Sequence, residues 1–264
     1  MGNFGSTYYS GINCKEKNKM KILLAPSETK VSNFGEESPF CKENFSFEEL
    51  FDKREYILNI YEQYLKNSSL EELSEWFGLK SLKDVEKYSK SPRFEKTAKA
   101  IQRYTGVAYE ALGYDTLDNK AQKYIEDNVV IFSNLFGAIL AKDLIPDYKY
   151  KQGAKLPDIN IENYMKSEFS PFLDEYLGEV TVDLRAGYYE KFYTPKCQTV
   201  TYKFLKDGKV VSHWAKYYRG IVARAMAINN IKTLDELYNM QVSGLKIKEI
   251  TESKNIKTFV CDVD

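Results

Sequence analysis

Short apolar runs recur along this chain with amphipathic stretches between them, and that alternation narrows the choice of fold more than any other feature. "KILLA" (21–25) ends at Pro26 and reads as a buried strand. "VVIFSNLFGAIL" (129–140) begins as a second strand and turns near Ser133 and Gly137, and "EVTVDL" (179–184) alternates as a third. In "TVTYKFLKDGKVVSHW" two alternating strands flank Asp207-Gly208, the composition of a two-residue hairpin turn, and "KTFVCDV" supplies a final strand. Between the first two runs, Phe47, Leu50, Ile57, Leu58, Tyr61 and Leu65 recur at three and four, as on the inner face of a helix. Strands interleaved with helices, plus one plain hairpin, predict an α/β (α+β) single domain with a mixed central β-sheet surrounded by helices.

Helix starts are marked by Ser68 or Ser69 ahead of Glu71 and Glu72, by Ser91-Pro92, and by Thr233. Gly78 falls between two short helices. A hairpin of that kind can hold a DNA phosphate, and it can equally be a plain helical connection. Residues 1–19 are rich in Gly, Ser and Asn and lack periodicity, which predicts a flexible N-terminal extension and a domain spanning 20–264.

With 264 residues, 43% of them hydrophobic, the chain has enough apolar material for a core without staples. Cys14, Cys41, Cys197 and Cys261 are scattered and there is one histidine, so neither a disulfide framework nor a metal site is expected. Reduced thiols without a secretory signal point to the cytoplasm. The longest uncharged apolar run, Val129 to Ala141, falls short of the roughly 20 residues that cross a bilayer. The glycine-rich nucleotide motifs are absent and no cofactor is expected. His213 sits in an alternating strand beside Trp214 and reads as structural. Paired acids such as Glu71-Glu72 are adjacent in sequence, cannot face one another on a helix, and suit solvated surfaces.

Charge is segregated. From Lys191 to Lys232 there are nine basic residues and one acid, Asp207, in a chain whose net charge is zero. Such a face suits an anion, either nucleic acid or a phosphorylated small molecule, and single lysines also suit solvated strand and loop faces. Within it, "SHWAKYYRGIVARAMAINN" (212–230) reads as a helix over 215–229, apolar almost all round, that keeps Lys216, Arg219 and Arg224. At about 100° per residue the three cations share a face whose middle is held by Ala223 and Ala227. Small side chains there leave room for a close approach. Unpaired buried cations must meet carboxylates, water or a bound anion. The acidic segments of 158–179 are one candidate partner and a ligand is the other. Just after a strand end, "RAGYYEKFYTP" adds Arg185, Tyr189 and Lys191, where ligands approach an open sheet; tyrosines there can stack bases or simply pack inward.

The ordered set of segments resembles the YaaA family of bacterial peroxide-stress proteins. The likeness rests on "KILLAPSETK", "YTGVAYEALGYDTL" with Gly106, Tyr109 and Leu112, and "SNLFGAILAKDLIPDYKYKQG" with Gly137, Asp143, Tyr148 and Gly153. "DLRAGYYEKFYTP" and "HWAKYYRGIVAR" complete it, the latter through Ala215, Lys216, Arg219, Gly220 and Arg224. The resemblance implies a single domain with a helical hairpin in its N-terminal half, a role in hydrogen peroxide tolerance, and non-specific DNA binding through a basic cleft. It carries no established reaction. The residues it transfers are Lys216, Arg219, Arg224, Tyr189 and Lys191, with Pro26 and Thr29 at the first strand end. Departures are Leu140-Ala141 where the family has Arg-Pro, Ala186 and Tyr188 in place of Ser and Glu, and Lys151 in place of an acid, which makes the expected cleft more basic. The expected partner is double-stranded DNA or, alternatively, a small phosphate-bearing ligand on which the protein acts or once acted as an enzyme.

Overall fold

A computed structural model of the protein describes residues 20–32, 34–36 and 40–264, without the side chains of Ser212 and His213; the extension expected at 1–19 lies outside the described residues. β1 (Lys21–Leu24) leads into α1 (Phe51–Asn67), α2 (Leu70–Phe77) and α3 (Leu82–Tyr88). A short strand β2 (Thr97–Lys99), then α4 (Ala100–Arg103), α5 (Val107–Leu112) and α6 (Asn119–Asn128) precede the hairpin of β3 (Val129–Ser133) and β4 (Gly137–Leu140). There follow β5 (Leu144–Pro146), α7 (Ile161–Tyr176), β6 (Val180–Leu184), β7 (Gln198–Lys206), β8 (Lys209–Val210), α8 (Ser212–Ile228) and α9 (Leu234–Asn239). The described chain closes with β9 (Leu245–Ser253) and β10 (Ile256–Val263).

The main sheet has the order β4-β3-β1-β6-β7-β10-β9, with β8 beside β7, while β2 and β5 pair separately. Its central strands are parallel and its edges antiparallel, so the chain is an α/β single domain with a mixed sheet, as expected. β1 is buried along its whole length because both its edges are occupied, by β3 and β6. Leu24 stands opposite Leu184, so β1 and β6 end at one level, while β3, with Ile131 opposite Leu24, runs on to Ser133. The chain leaving β1 returns at β3 on one side; the chain leaving β6 goes to β7 on the other. The carboxyl ends of β1 and β6 therefore form a topological switch point, where the diverging connections leave a crevice.

Local signals account for much of this. Ser69 caps α2 with a full capping box through Glu72, and Thr233 does the same for α9 through Glu236. Gly78 ends α2 in the left-handed conformation, which lets the chain turn back into α3 as a helical hairpin. Asp207 and Gly208 both have positive φ, the geometry of a primed hairpin turn. Two expectations need correction. Ser212, His213 and Trp214 belong to α8 rather than to a strand, and β8 is only two residues long. Ser91-Pro92 opens a single 3₁₀ turn, Pro92–Phe94, rather than a longer helix. The exposed edge strand β9 and the three-residue strands β2 and β5 were not anticipated.

Candidate anion-binding cavity

The small face of α8 organises the site. Gly220, Ala223 and Ala227 lie along one buried stripe. A Cβ on Gly220 would stand 2.1 Å from the Ala108 carbonyl oxygen and 2.9 Å from Cβ of Ala111, so α8 meets α5 at backbone contact. What the small residues admit is a neighbouring helix rather than a ligand, which corrects the expectation drawn from their angles.

The flanking cations have separate fates. Arg224 Nη1 donates to the carbonyl oxygens of Leu112 at 2.8 Å and Gly113 at 3.0 Å and to Thr116 Oγ1 at 2.9 Å, satisfying orphan carbonyls where α5 ends. Arg219 is half-buried and makes no hydrogen bond or ion pair among the described residues. Burial lowers its pKa, and the charge of Asp183 partly opposes that shift. The Asp183 carboxylate is already engaged: Arg185 donates to it through Nε at 2.9 Å and Nη2 at 2.7 Å. Lys216 is exposed and likewise has no partner among the described residues. None of the three forms an ion pair with the acidic segments of 158–179 among the described residues.

Lys216 and Arg219 instead face a cavity of about 410 Å³ at the switch point between β1 and β6. One wall is the turn from Leu24 to Thr29, and a second is the start of α5, from Thr105 to Tyr109. Leu184 ends β6, Ala186 and Tyr189 follow it, and Gln152 closes one side. The turn is internally bonded: Ser27 Oγ lies 3.0 Å from Thr29 Oγ1 and accepts the Thr29 N–H at 3.3 Å. Gly106 has a φ of 99°, and a Cβ there would come within 3.2 Å of Ser27 Oγ, so glycine is what lets α5 begin against that turn. The Tyr109 hydroxyl donates to the Ala25 carbonyl at 2.8 Å and ties α5 to the end of β1. Glu28 accepts the Gln152 N–H at 3.1 Å.

Of the residues expected at a site, the structure brings Pro26, Thr29, Tyr189, Lys216 and Arg219 together. The others stand elsewhere. Arg185 also donates to the carbonyls of Tyr189 at 3.2 Å and Tyr193 at 3.0 Å, and so holds the turn that presents Tyr189. Lys151 lines a depression with Tyr64 and Trp76, and Lys191 lines another with residues 154–163 and Lys166. Ser27, Glu28, Gly106, Tyr109 and Gln152 were missed as site residues. The available signal was their position at strand and helix ends, not their chemistry. Among the described residues no group of three His, Cys, Asp or Glu side chains is arranged to hold a metal ion.

Beside the turn, Lys30 Nζ lies 4.1 Å from the centre of the Tyr148 ring, 5.2 Å from that of Tyr104, and 3.4 Å from the Ser27 carbonyl oxygen. Burial pushes its pKa down to about 7; Asp147 and Glu28 oppose this, while Lys149 and Arg103 reinforce it. A lysine whose folded pKa lies below its unfolded value binds fewer protons when folded, so it contributes stability that rises as pH climbs from 7 towards 10. In chemical denaturation between pH 7 and 9, the wild type should gain on the order of 1 kcal/mol per unit relative to Lys30→Met. Parallel pH profiles would show that the amine is not held neutral.

The fold is an α/β sheet with Lys216 and Arg219 lining a cavity at its switch point, the place where open sheets of this class commonly take ligands. Residues 20–251 match the family described as "Peroxide stress protein YaaA", and the chain belongs to that family. It is similar to an uncharacterised protein of Campylobacter jejuni, with 49% identity over 232 residues covering 88% of this chain and 94% of that protein. It is also similar to a UPF0246 protein of Corynebacterium glutamicum, with 33% identity covering 91% of this chain and all of the relative. A Streptomyces coelicolor UPF0246 protein is 30% identical over 78% of this chain and 82% of its own length. Among the described residues no helix is long and apolar enough to cross a membrane.

Proposed function

We propose that, within the peroxide-stress association of its family, this protein binds a small phosphate-bearing ligand of nucleotide type in the cavity between β1 and β6. One observation carries the reading. Lys216 and Arg219, without acidic partners among the described residues, face a half-enclosed space whose other walls include Tyr109 and Tyr189. A half-buried guanidinium without a hydrogen-bonded partner costs free energy that a phosphate would offset with paired, charge-assisted bonds. Tyr109 and Tyr189 are buried and form part of the apolar wall, and the hydroxyls of Ser27 and Thr29 offer further polar contacts.

Duplex DNA, the other expected partner, finds less support. Arg185 commits its whole guanidinium to protein groups, and Arg224 commits its Nη1. The depressions that adjoin at Gln152 and Ala154 carry Lys216, Arg219, Lys151, Lys155, Lys166 and Lys191, but also Glu28, Glu72, Glu75, Asp158 and Glu162. That near balance is a weak field for a polyanion. In a thermal-shift screen, a mononucleotide at about 100 times its Kd should add roughly 2.7 kcal/mol of stability, while a duplex oligonucleotide adds none. Stabilisation by the duplex alone, falling steeply with salt, would carry the DNA reading instead.

A further inference from the structure

Gln152 lines the cationic cavity and also lines a second depression of about 410 Å³ that contains Tyr64, Glu72, Glu75, Trp76 and Lys151. This shared wall is held in place by the Gln152 N–H, which donates to Glu28. The second depression has a different chemistry from the first. The Trp76 indole N–H donates to the Lys155 carbonyl at 2.8 Å, and Tyr150 supports the ring with centroids 4.7 Å apart. With its only donor engaged and its orientation fixed, Trp76 offers a ligand ring surface alone. Glu72 is committed to the Ser69 N–H that starts α2, at 2.7 Å. The side chains of Glu75 and Lys151 have no partner among the described residues. A carboxylate beside an aromatic surface repels phosphate and accepts from an amino group, which is what an amino-bearing base presents.

We propose that the ligand spans both depressions and is of the dinucleotide class. One phosphate-bearing nucleotide lies against Lys216 and Arg219, and a second amino-bearing base passes Gln152 to stack on Trp76 and donate to Glu75, with Lys151 beside the linking phosphate. The proposal rests on the nucleotide reading of the first cavity. It commits to a ligand longer than that cavity.

The chain has two tryptophans, so Trp214→Phe leaves Trp76 as the sole indole fluorophore. Trp214 is exposed and lines neither depression. In this variant, titration with 5′-phosphoadenylyl-(3′,5′)-adenosine, which carries both a terminal and a linking phosphate, should quench Trp76 emission, and this dinucleotide should bind roughly 10-fold tighter than AMP, the gain expected from one stacked base. Adding Glu75→Lys should bring the dinucleotide to the AMP level and leave AMP binding unchanged. If AMP binds but the dinucleotide binds no tighter and Trp76 emission does not change, the second subsite is overturned while the first stands. If neither compound binds, the nucleotide reading fails and the dinucleotide proposal fails with it.

Discussion

Alanine at position 220 is expected to destabilise the protein by about 3 kcal/mol, because its methyl group would enter the backbone of α5. The atom it meets at 2.1 Å is the Ala108 carbonyl oxygen, which cannot rotate away as a side chain can. The two helices would have to separate, and both carry walls of the cavity: Lys216 and Arg219 on α8, Val107 to Tyr109 on α5. Thermal unfolding should show a Tm lower by roughly 6–12 °C, together with loss of nucleotide binding. The sign of the change is informative. In a helix free of close contact, Gly→Ala raises stability by about 1 kcal/mol through propensity alone. A variant more stable than the wild type would therefore contradict the close crossing of α5 and α8.

Neutralising the cavity should act on binding rather than on folding. In the Lys216→Gln plus Arg219→Gln variant two charge-assisted contacts are lost, each worth about 1.5–3 kcal/mol, so nucleotide affinity is expected to fall at least about 100-fold. Stability should stay within about 1 kcal/mol or rise, since the half-buried Arg219 has no partner among the described residues to leave behind. Arg224→Gln should do the opposite, lowering stability while retaining binding, because its guanidinium holds the Leu112 and Gly113 carbonyls. Calorimetric titration paired with denaturant unfolding separates the two outcomes. Equal loss of binding in both variants would deny the distinction between a ligand-facing and a structural arginine.

Those two arginines mark where sequence reasoning stops. They sit on one helix, five residues apart, with identical chemistry. What divides them is a pair of carbonyls more than a hundred positions away in sequence, and no local pattern carries that information. The same holds for the alanine stripe: helical angles identify a face that something approaches closely, but do not distinguish a helix from a ligand. Strands β1, β3, β6 and β10 were legible because central strands of such a sheet are buried and therefore apolar. β9 was not, because "LKIKEITES" is a mostly exposed edge in which charged and polar residues outnumber the apolar ones. The start of α8 was misread for a related reason. Val211 precedes it without a side-chain cap, so the alternation of the preceding strand runs on through Ser212, His213 and Trp214 with no stop signal. The switch-point crevice itself was foreshadowed by Pro26 and Thr29 at one strand end and Tyr189 beyond another, but that these ends are neighbours follows from strand order alone.

A phosphate group held against Lys216 and Arg219 is observed directly by phosphorus NMR. On titration of AMP with the wild-type protein, the phosphorus resonance should move and broaden, and with the Lys216→Gln plus Arg219→Gln variant it should stay at its free position. A resonance unmoved by the wild type, or moved equally by the variant, would contradict the assignment.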